Sequence, residues 1–303
     1  MNEKIDVIID TDIGGDIDDA FALCLAMKSP ELHILGVTTV YQDTVRRARI
    51  AARLLRLGGL PKVPVAAGES HPLKNREVYG QEIDFTEKPI SYTDAYEAEP
   101  YCSDITAVDF IIRTLEEAKK PIVIVTMGAL TNIARVLMKR PDLKERIAFI
   151  SMMGGAFSFR NVSEFNFSCD PEAAELVIGS GVAIRCVGLD VTFQCVLGKE
   201  DVRLLCEHPH PCIRMLMDMK KAWGHDVCLH DPLALAVTFQ KNLVTLEKIQ
   251  CKIELEGRYT RGTSVNLSDF TWNIPAGDSK FEAAFSVDSK AVVQLCMERL
   301  MSF

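Results

Sequence analysis

Ten residues near the amino end carry the densest chemistry in this chain. Asp10-Thr11-Asp12-Ile13-Gly14-Gly15-Asp16-Ile17-Asp18-Asp19 sets five carboxylates directly after a short apolar run, Ile5 to Ile9. Carboxylates so close together repel and raise one another's pKa values unless a cation neutralises them. An all-oxygen set of this density suits a hard divalent cation, Ca2+ or Mg2+. Gly14 and Gly15 let the backbone turn tightly between strand and helix. Asp18 and Asp19 fall in the first helical turn, where the macrodipole favours negative charge. The plain alternative is a solvated acidic turn with a helix cap, but such turns rarely follow a buried strand with this many carboxylates. An EF-hand does not fit: Gly14 stands at loop position five and Phe21 at position twelve, where Glu is wanted. No G-x-G-x-x-G occurs here, so the dinucleotide fingerprint is absent.

Two further groups are weaker when taken alone. His230-Asp231-Pro232 puts an aspartate at a helix start with a histidine before it; an ordinary N-cap with Pro after it explains this as well. Asn161, Glu164 and Asn166 lie in one polar loop, suited to recognising hydroxyl groups or simply to being a polar loop.

The elements that must position these groups alternate. Ile5 to Ile9 reads as a buried strand, Asp18 to Lys28 as a helix, His33 to Val40 as a strand. Thr44 to Leu57 is expected to be a helix with Arg46, Arg47 and Arg49 outward. Pro64 to Ala67 is a third strand, and Ser103 is expected to cap a helix reaching about Lys119. Strand Ile122 to Thr126, helix Thr131 to Lys139, strand Ile147 to Met153, helix Pro171 to Ile178 and strand Val182 to Val187 follow. Residues 199 to 240 look mainly helical, Ile249 to Glu256 and Arg258 to Val265 look like a hairpin around Gly257, and Asp288 to Leu300 like a closing helix. Residues 68 to 102 and 154 to 168 are long and polar, as lids and binding loops often are. The alternation predicts an α/β fold, an open, mostly parallel Rossmann-like sheet flanked by helices. Ligands then bind beyond the carboxyl ends of the strands, which directs attention to the loops at 10–19, 41–44, 127–132 and 154–170.

Composition is ordinary for a globular enzyme: 303 residues, 48% hydrophobic and 25% charged. With no clear linker or repeat, a single domain over 1–303 is expected. A net charge of −8 and no basic cluster argue against nucleic acid as a partner. None of the ten cysteines forms a C-x-x-C pair, which suggests a reduced, cytoplasmic protein. Residues 1 to 9 do not resemble a signal peptide, and no apolar stretch approaches the roughly 18 residues of a membrane span.

The motifs together resemble the inosine-uridine preferring nucleoside hydrolase family. The opening aspartates are similar to that family's Asp-x-Asp-x-Gly-x-Asp-Asp signature, Val37-Thr38-Thr39-Val40 to its second strand, and Met127 to Ala134 to its Gly-Gly-Leu-Thr-Asn turn. Met153-Gly154-Gly155, Glu164-Phe165-Asn166, Asp170 to Ala174 and His230-Asp231 follow in the family's order. The resemblance implies the nucleoside hydrolase fold with Ca2+ at its carboxyl edge, held by Asp12, Asp19, Asp231 and the Met127 main-chain carbonyl. Asp10 would support the loop from behind. Asp18 would hold the ribose 2′- and 3′-hydroxyls, and Glu164, Asn166 and Asn161 its other oxygens. Breaking the C1′–N bond builds positive charge on the sugar, which carboxylates and amide oxygens stabilise. Calcium would position a water and lower its pKa, Asp12 would take the proton, and His230 would supply one to the leaving base. A homodimer or homotetramer is what the resemblance suggests.

Departures from the family concern substrate choice. The aspartate loop is two residues longer, which makes Asp16 extra. Asp43 stands where Asn is usual, and is expected to accept a hydroxyl hydrogen bond. Tyr79-Gly80 replaces His-Gly; Tyr79 would stack on a nucleobase or cover a core edge. The loop from Phe157 to Ser163 is short, and Trp223 and His225 stand before His230 as candidates for the base side or for core packing. Two rivals remain: a non-catalytic nucleoside- or ribose-binding member, and a haloacid dehalogenase-like phosphatase with Asp10 as nucleophile. The latter gives no role to Asp18-Asp19 or His230-Asp231.

Overall fold

Strand β1 (Ile5–Thr11) is apolar on both faces, as a strand covered by helices on both sides must be. Val7 and Ile9 enter one core layer and Ile8 the other. The computed structural model describes residues 3–74, 77–78, 81–158, 162–269 and 271–303. The other strands are β2 (Leu32–Thr39), β3 (Val65–Ala67), β4 (Glu77–Val78), β5 (Gln81–Glu82), β6 (Ile122–Thr126), β7 (Ile147–Met153), β8 (Ile184–Val187), β9 (Val244–Lys248), β10 (Cys251–Ile253), β11 (Ser264–Asn266) and β12 (Phe281–Val287). Eight of them form one sheet in the order β3-β2-β1-β6-β7-β8-β12-β9. It is parallel except for β9, which runs antiparallel along β12.

The helices are α1 (Asp18–Met27), α2 (Thr44–Leu57), α3 (Ala107–Glu117), α4 (Thr131–Lys139), α5 (Phe165–Cys169), α6 (Pro171–Ile178), α7 (Leu189–Thr192), α8 (Lys199–Cys206), α9 (Pro211–Trp223), α10 (His230–Ala236) and α11 (Ser289–Leu300). Side chains of α1, α2, α9, α10 and α11 join the core on one face of the sheet, and those of α3, α4 and α6 the core on the other. Every residue of α1 from Asp18 to Ala26 is buried, the expected state of a helix that is apolar all round. No helix among the described residues is long and apolar enough to cross a membrane.

Three expectations need correction. Helix α3 begins at Ala107, not Ser103, because the Thr106 side chain accepts the Asp109 amide and caps it there. The tail hairpin is narrower: only Cys251–Ile253 and Ser264–Asn266 pair, with a ten-residue connection (254–263) rather than a turn at Gly257. Strands β9 and β12 extend the main sheet where no strand was expected. On β9 only Val244 is buried, so it lacks the apolar run that marks the inner strands.

The order places β1 between β2 and β6. The chain leaves β1 towards β2 and leaves β6 towards β7, so this is the switch point where such sheets open a crevice at their carboxyl edge. The turn out of β1 requires Gly14, whose φ is +105°. A Cβ there would lie 2.5 Å from Ile50 Cδ1 and 2.9 Å from Pro89 Cβ. The Gly14 carbonyl also accepts the Ser91 amide and hydroxyl, each at 3.2 Å, which ties the aspartate loop to the segment covering it. Gly14→Ala is therefore expected to destabilise the protein by about 1–3 kcal/mol through left-handed strain and overpacking. A urea midpoint equal to that of the parent protein would contradict this.

Candidate active site

Asp10, at the end of β1, is fully buried behind the crevice. Its Oδ1 accepts Thr38 Oγ1 at 2.5 Å and Asn132 Nδ2 at 2.7 Å, linking β2 and α4 to β1. No substrate reaches it, which removes the phosphatase nucleophile. Asp12 is 9% exposed and lines the crevice. Asp18 and Asp19 open α1, and Thr11 Oγ1 donates to Asp19 Oδ1. Asp231, in the first turn of α10, comes from the far end of the chain. Its amide donates to Asp18 Oδ2 at 3.0 Å. One oxygen from each of Asp18, Asp19 and Asp231 lies within 4.8 Å of the others, and all three residues are buried.

Beyond this cluster the cavity has a volume of about 540 Å³, within the range of small-molecule sites. Met127 lines it after β6, and its carbonyl accepts Asn166 Nδ2 at 3.1 Å. Glu164 caps α5: its carboxylate accepts the amides of Asn166, Phe167 and Gly155 at 2.8, 3.0 and 3.1 Å. His230, Phe193, Leu189 and Trp223 also line the cavity. His230 Nδ1 is 2.7 Å from Thr192 Oγ1, and Phe193 meets its ring edge-on. Phe165 and Phe193 are 46% and 56% exposed and leave apolar ring area open at the cavity.

Over residues 7–294 the sequence matches the family described as inosine-uridine preferring nucleoside hydrolase. The chain belongs to that family. It is 32% identical to the pyrimidine-specific ribonucleoside hydrolase RihA of Salmonella gallinarum, with 98% of each chain covered. It is also 32% identical to uridine nucleosidase 1 of Arabidopsis thaliana, covering 99% of this chain and 94% of that one. The solved structure of a purine-preferring ribonucleoside hydrolase from Gardnerella vaginalis shares its fold with a TM-score of 0.82, at 30% identity over 98% of both chains. Members of the nucleoside hydrolase family are N-glycosyl hydrolases, and this chain is an enzyme of that class.

Asp12, Asp18, Asp19, Met127, Glu164, Asn166, His230 and Asp231 thus meet in one cavity of this nucleoside hydrolase. Asp43 does not join them. It caps α2 by accepting the Arg46 amide, and its other oxygen pairs with Arg46 Nη1 at 2.5 Å. Asn161 and Tyr79 lie outside the described residues. His225 stacks edge-on against Trp223 and is exposed, away from the cavity lining. Asp16 does line the cavity, where its Oδ1 accepts the Asp18 amide at 3.1 Å.

Arg47 was expected to face outward and instead is buried against the aspartate loop. The signal was present: Arg47 stands three, four and seven residues before Ile50, Ala51 and Leu54, on the apolar face of α2. Gln42, Phe193 and Leu189 also line the cavity, although their types and spacing gave no sign of it.

Burial dominates the electrostatics. It pushes Asp10 and Glu164 up to about 7. Asp12, Asp18, Asp19 and Asp231 are raised by burial first; neighbouring carboxylates add to this, and at Asp12 the Arg47 guanidinium opposes it. Burial lowers His230, against the pull of Asp16. Four buried carboxylates of raised proton affinity, three of them converging, form a donor set that fits a hard divalent cation. A carboxyl raised by folding holds its proton where the unfolded chain has lost it. Between 3.8, the ordinary aspartate value, and about 7 the folded state binds more protons, so stability falls as pH rises through that window. The metal-stripped protein should therefore melt higher at pH ~5 than at pH ~7.5, and excess Ca2+ should flatten the difference by replacing those protons. Melting in chelator that rises with pH over this range would contradict the burial argument.

Proposed function

We propose that the protein hydrolyses the N-glycosidic bond of a ribonucleoside to free base and ribose, with Ca2+ as its cofactor. The convergence of Asp18, Asp19 and Asp231 inside a cavity of nucleoside size carries this reading. Asp12, Asp19, Asp231 and the Met127 carbonyl hold the cation. Asp18 adjoins the same point and takes the ribose 2′- and 3′-hydroxyls. When bound, the cation supplies positive charge that orients the diol and acidifies a water.

Asp12 accepts the proton of the attacking water. The water oxygen bonds to C1′ as the C1′–N bond breaks, and that bonding pair leaves with the base nitrogen. Glu164 and Asn166 stabilise the positive charge that grows on the sugar; the three amides on Glu164 keep it from turning as that charge develops. Asn161 and Tyr79 are retained on sequence grounds for the 5′-hydroxyl and the base. Phe193 and Trp223 offer apolar faces to the base. Because burial disfavours the imidazolium, His230 is neutral, and it meets the negative charge that grows on the departing base by donating a hydrogen bond while the base takes its proton from solvent. With Nδ1 engaged by Thr192, its Nε2 is the nitrogen available to that base. The relatives are named pyrimidine-specific, uridine and purine-preferring hydrolases, and the proposed substrate class spans both kinds of base.

Free base and ribose should be released from at least one of inosine, uridine, cytidine, adenosine and guanosine, and chelator should stop it. Asp12→Ala should lower turnover by about 10²–10⁴-fold while the protein still folds. Nucleoside binding without release of base from any of the five would instead support the non-catalytic binding protein. Asp231→Ala should weaken Ca2+ binding; unaltered affinity would remove Asp231 from the cation site.

A further inference from the structure

Among the described residues, Arg47 is the one lysine or arginine with its side chain buried, at 3% exposure. It lines the cavity beside Asp12. Its hydrogen bonds go to main-chain carbonyls and an amide oxygen instead of to carboxylates. Nη1 donates to the carbonyl of Asp12 and, at 3.0 Å, to that of Ile13. Nε donates to the Tyr41 carbonyl at 2.8 Å, and Nη2 to Gln42 Oε1 at 3.2 Å. One planar group thus ties the loop after β1 to the loop after β2. Lysine, with a single nitrogen on a flexible stem, cannot reproduce that fork.

The second loop is strained where Arg47 grips it. Tyr41 and Gln42 have φ of +68° and +56°, left-handed values at two consecutive non-glycine residues. Such strain persists only where surrounding contacts over-determine the backbone, and it gathers at functional sites. Here the contacts include the Arg47 fork, two main-chain bonds, Tyr41 to Glu69 at 2.8 Å and Gln42 to Ser70 at 3.0 Å, and the Gln42 side chain donating to Glu87 at 3.0 Å.

We propose that Arg47 is a positioning residue for the reaction: by fixing the carbonyls of Asp12 and Ile13 it sets where the Asp12 carboxylate enters the cavity, and thereby supports both cation binding and turnover. The inference rests on the reading of this cavity as a calcium-dependent hydrolase site. It differs in sign from a purely electrostatic role. A positive charge beside a cation site opposes cation binding, so charge alone says that removing Arg47 tightens it. Positioning says that removal weakens it.

The test is a calorimetric Ca2+ titration of metal-stripped wild type, Arg47→Met and Arg47→Lys, followed by base-release kinetics at saturating Ca2+. Both variants are expected to bind Ca2+ at least tenfold more weakly. Their kcat should fall at least tenfold at saturating cation, with KM within about threefold of wild type. Unchanged or tighter Ca2+ binding in Arg47→Met would overturn the proposal, as would wild-type affinity and kcat in Arg47→Lys. Arg47→Lys, which keeps the charge and most of the volume, carries the test if Arg47→Met does not fold. Should the wild type bind Ca2+ yet release no base, the hydrolase reading fails while the titration still decides the role of Arg47. Should it release base without binding Ca2+, the kcat comparison decides. A wild type that does neither would overturn both.

Discussion

Like charges held at contact distance away from water are the condition that the carboxyl edge of this sheet is built around. Two carboxylates 4 Å apart repel by about 4 kcal/mol at an effective dielectric of ~20, and here Asp12, Asp18, Asp19 and Asp231 share one buried wall. A folded chain keeps them there only if protons or a cation offset that repulsion. Much of the neighbourhood serves the same end. Thr11 donates to Asp19, Thr38 and Asn132 donate to Asp10, the Asp231 amide donates to Asp18, and Arg47 sits behind Asp12. The start of α1 also turns its positive dipole end towards the cluster.

The sheet supplies the rigidity that this arrangement needs. β1, β2 and β6 are parallel neighbours, so the chain exits all three on the same edge. Asp231 enters from 213 residues beyond Asp18, which is possible because α1 and α10 share the core on one face of the sheet. The part of the cavity proposed to meet the sugar is built differently, from a five-residue helix whose cap is Glu164. One carboxylate thereby both caps a helix and lines the cavity, so the proposed contact with the sugar would couple substrate binding to local folding at that residue.

The alternation of apolar runs with helical periods made the central elements legible. β6, β7, α2, α4 and α6 fall where the periodicity sets them, because their ends carry Pro, Gly or acidic caps. β9 escaped because an edge strand lacks the continuous apolar run of a buried one, and β12, although paired on both sides, because Glu282 and Ser286 interrupt its run. In the site, the cluster from Asp10 to Asp19 stood out by its density of carboxylates directly after an apolar run, whereas Asp231 was tied to it only through the family resemblance. Arg47 could not be read from its type, because an arginine on a helix ordinarily faces water; only its register with Ala51 and Leu54 marked it as inward. Asp43 misled for the opposite reason. Its place after β2 suits a ligand, but the start of α2 needed a cap and Arg46 lay within reach.

The central claim is that the buried aspartates trade protons for a divalent cation. Calorimetric titration of the metal-stripped protein with Ca2+ near neutral pH, repeated in buffers of different ionisation enthalpy, measures both the affinity and the protons exchanged. Saturable binding at one site with net release of protons is expected, because carboxylates raised by burial must ionise to act as ligands. Binding with no proton release, or no binding at all, would contradict the claim.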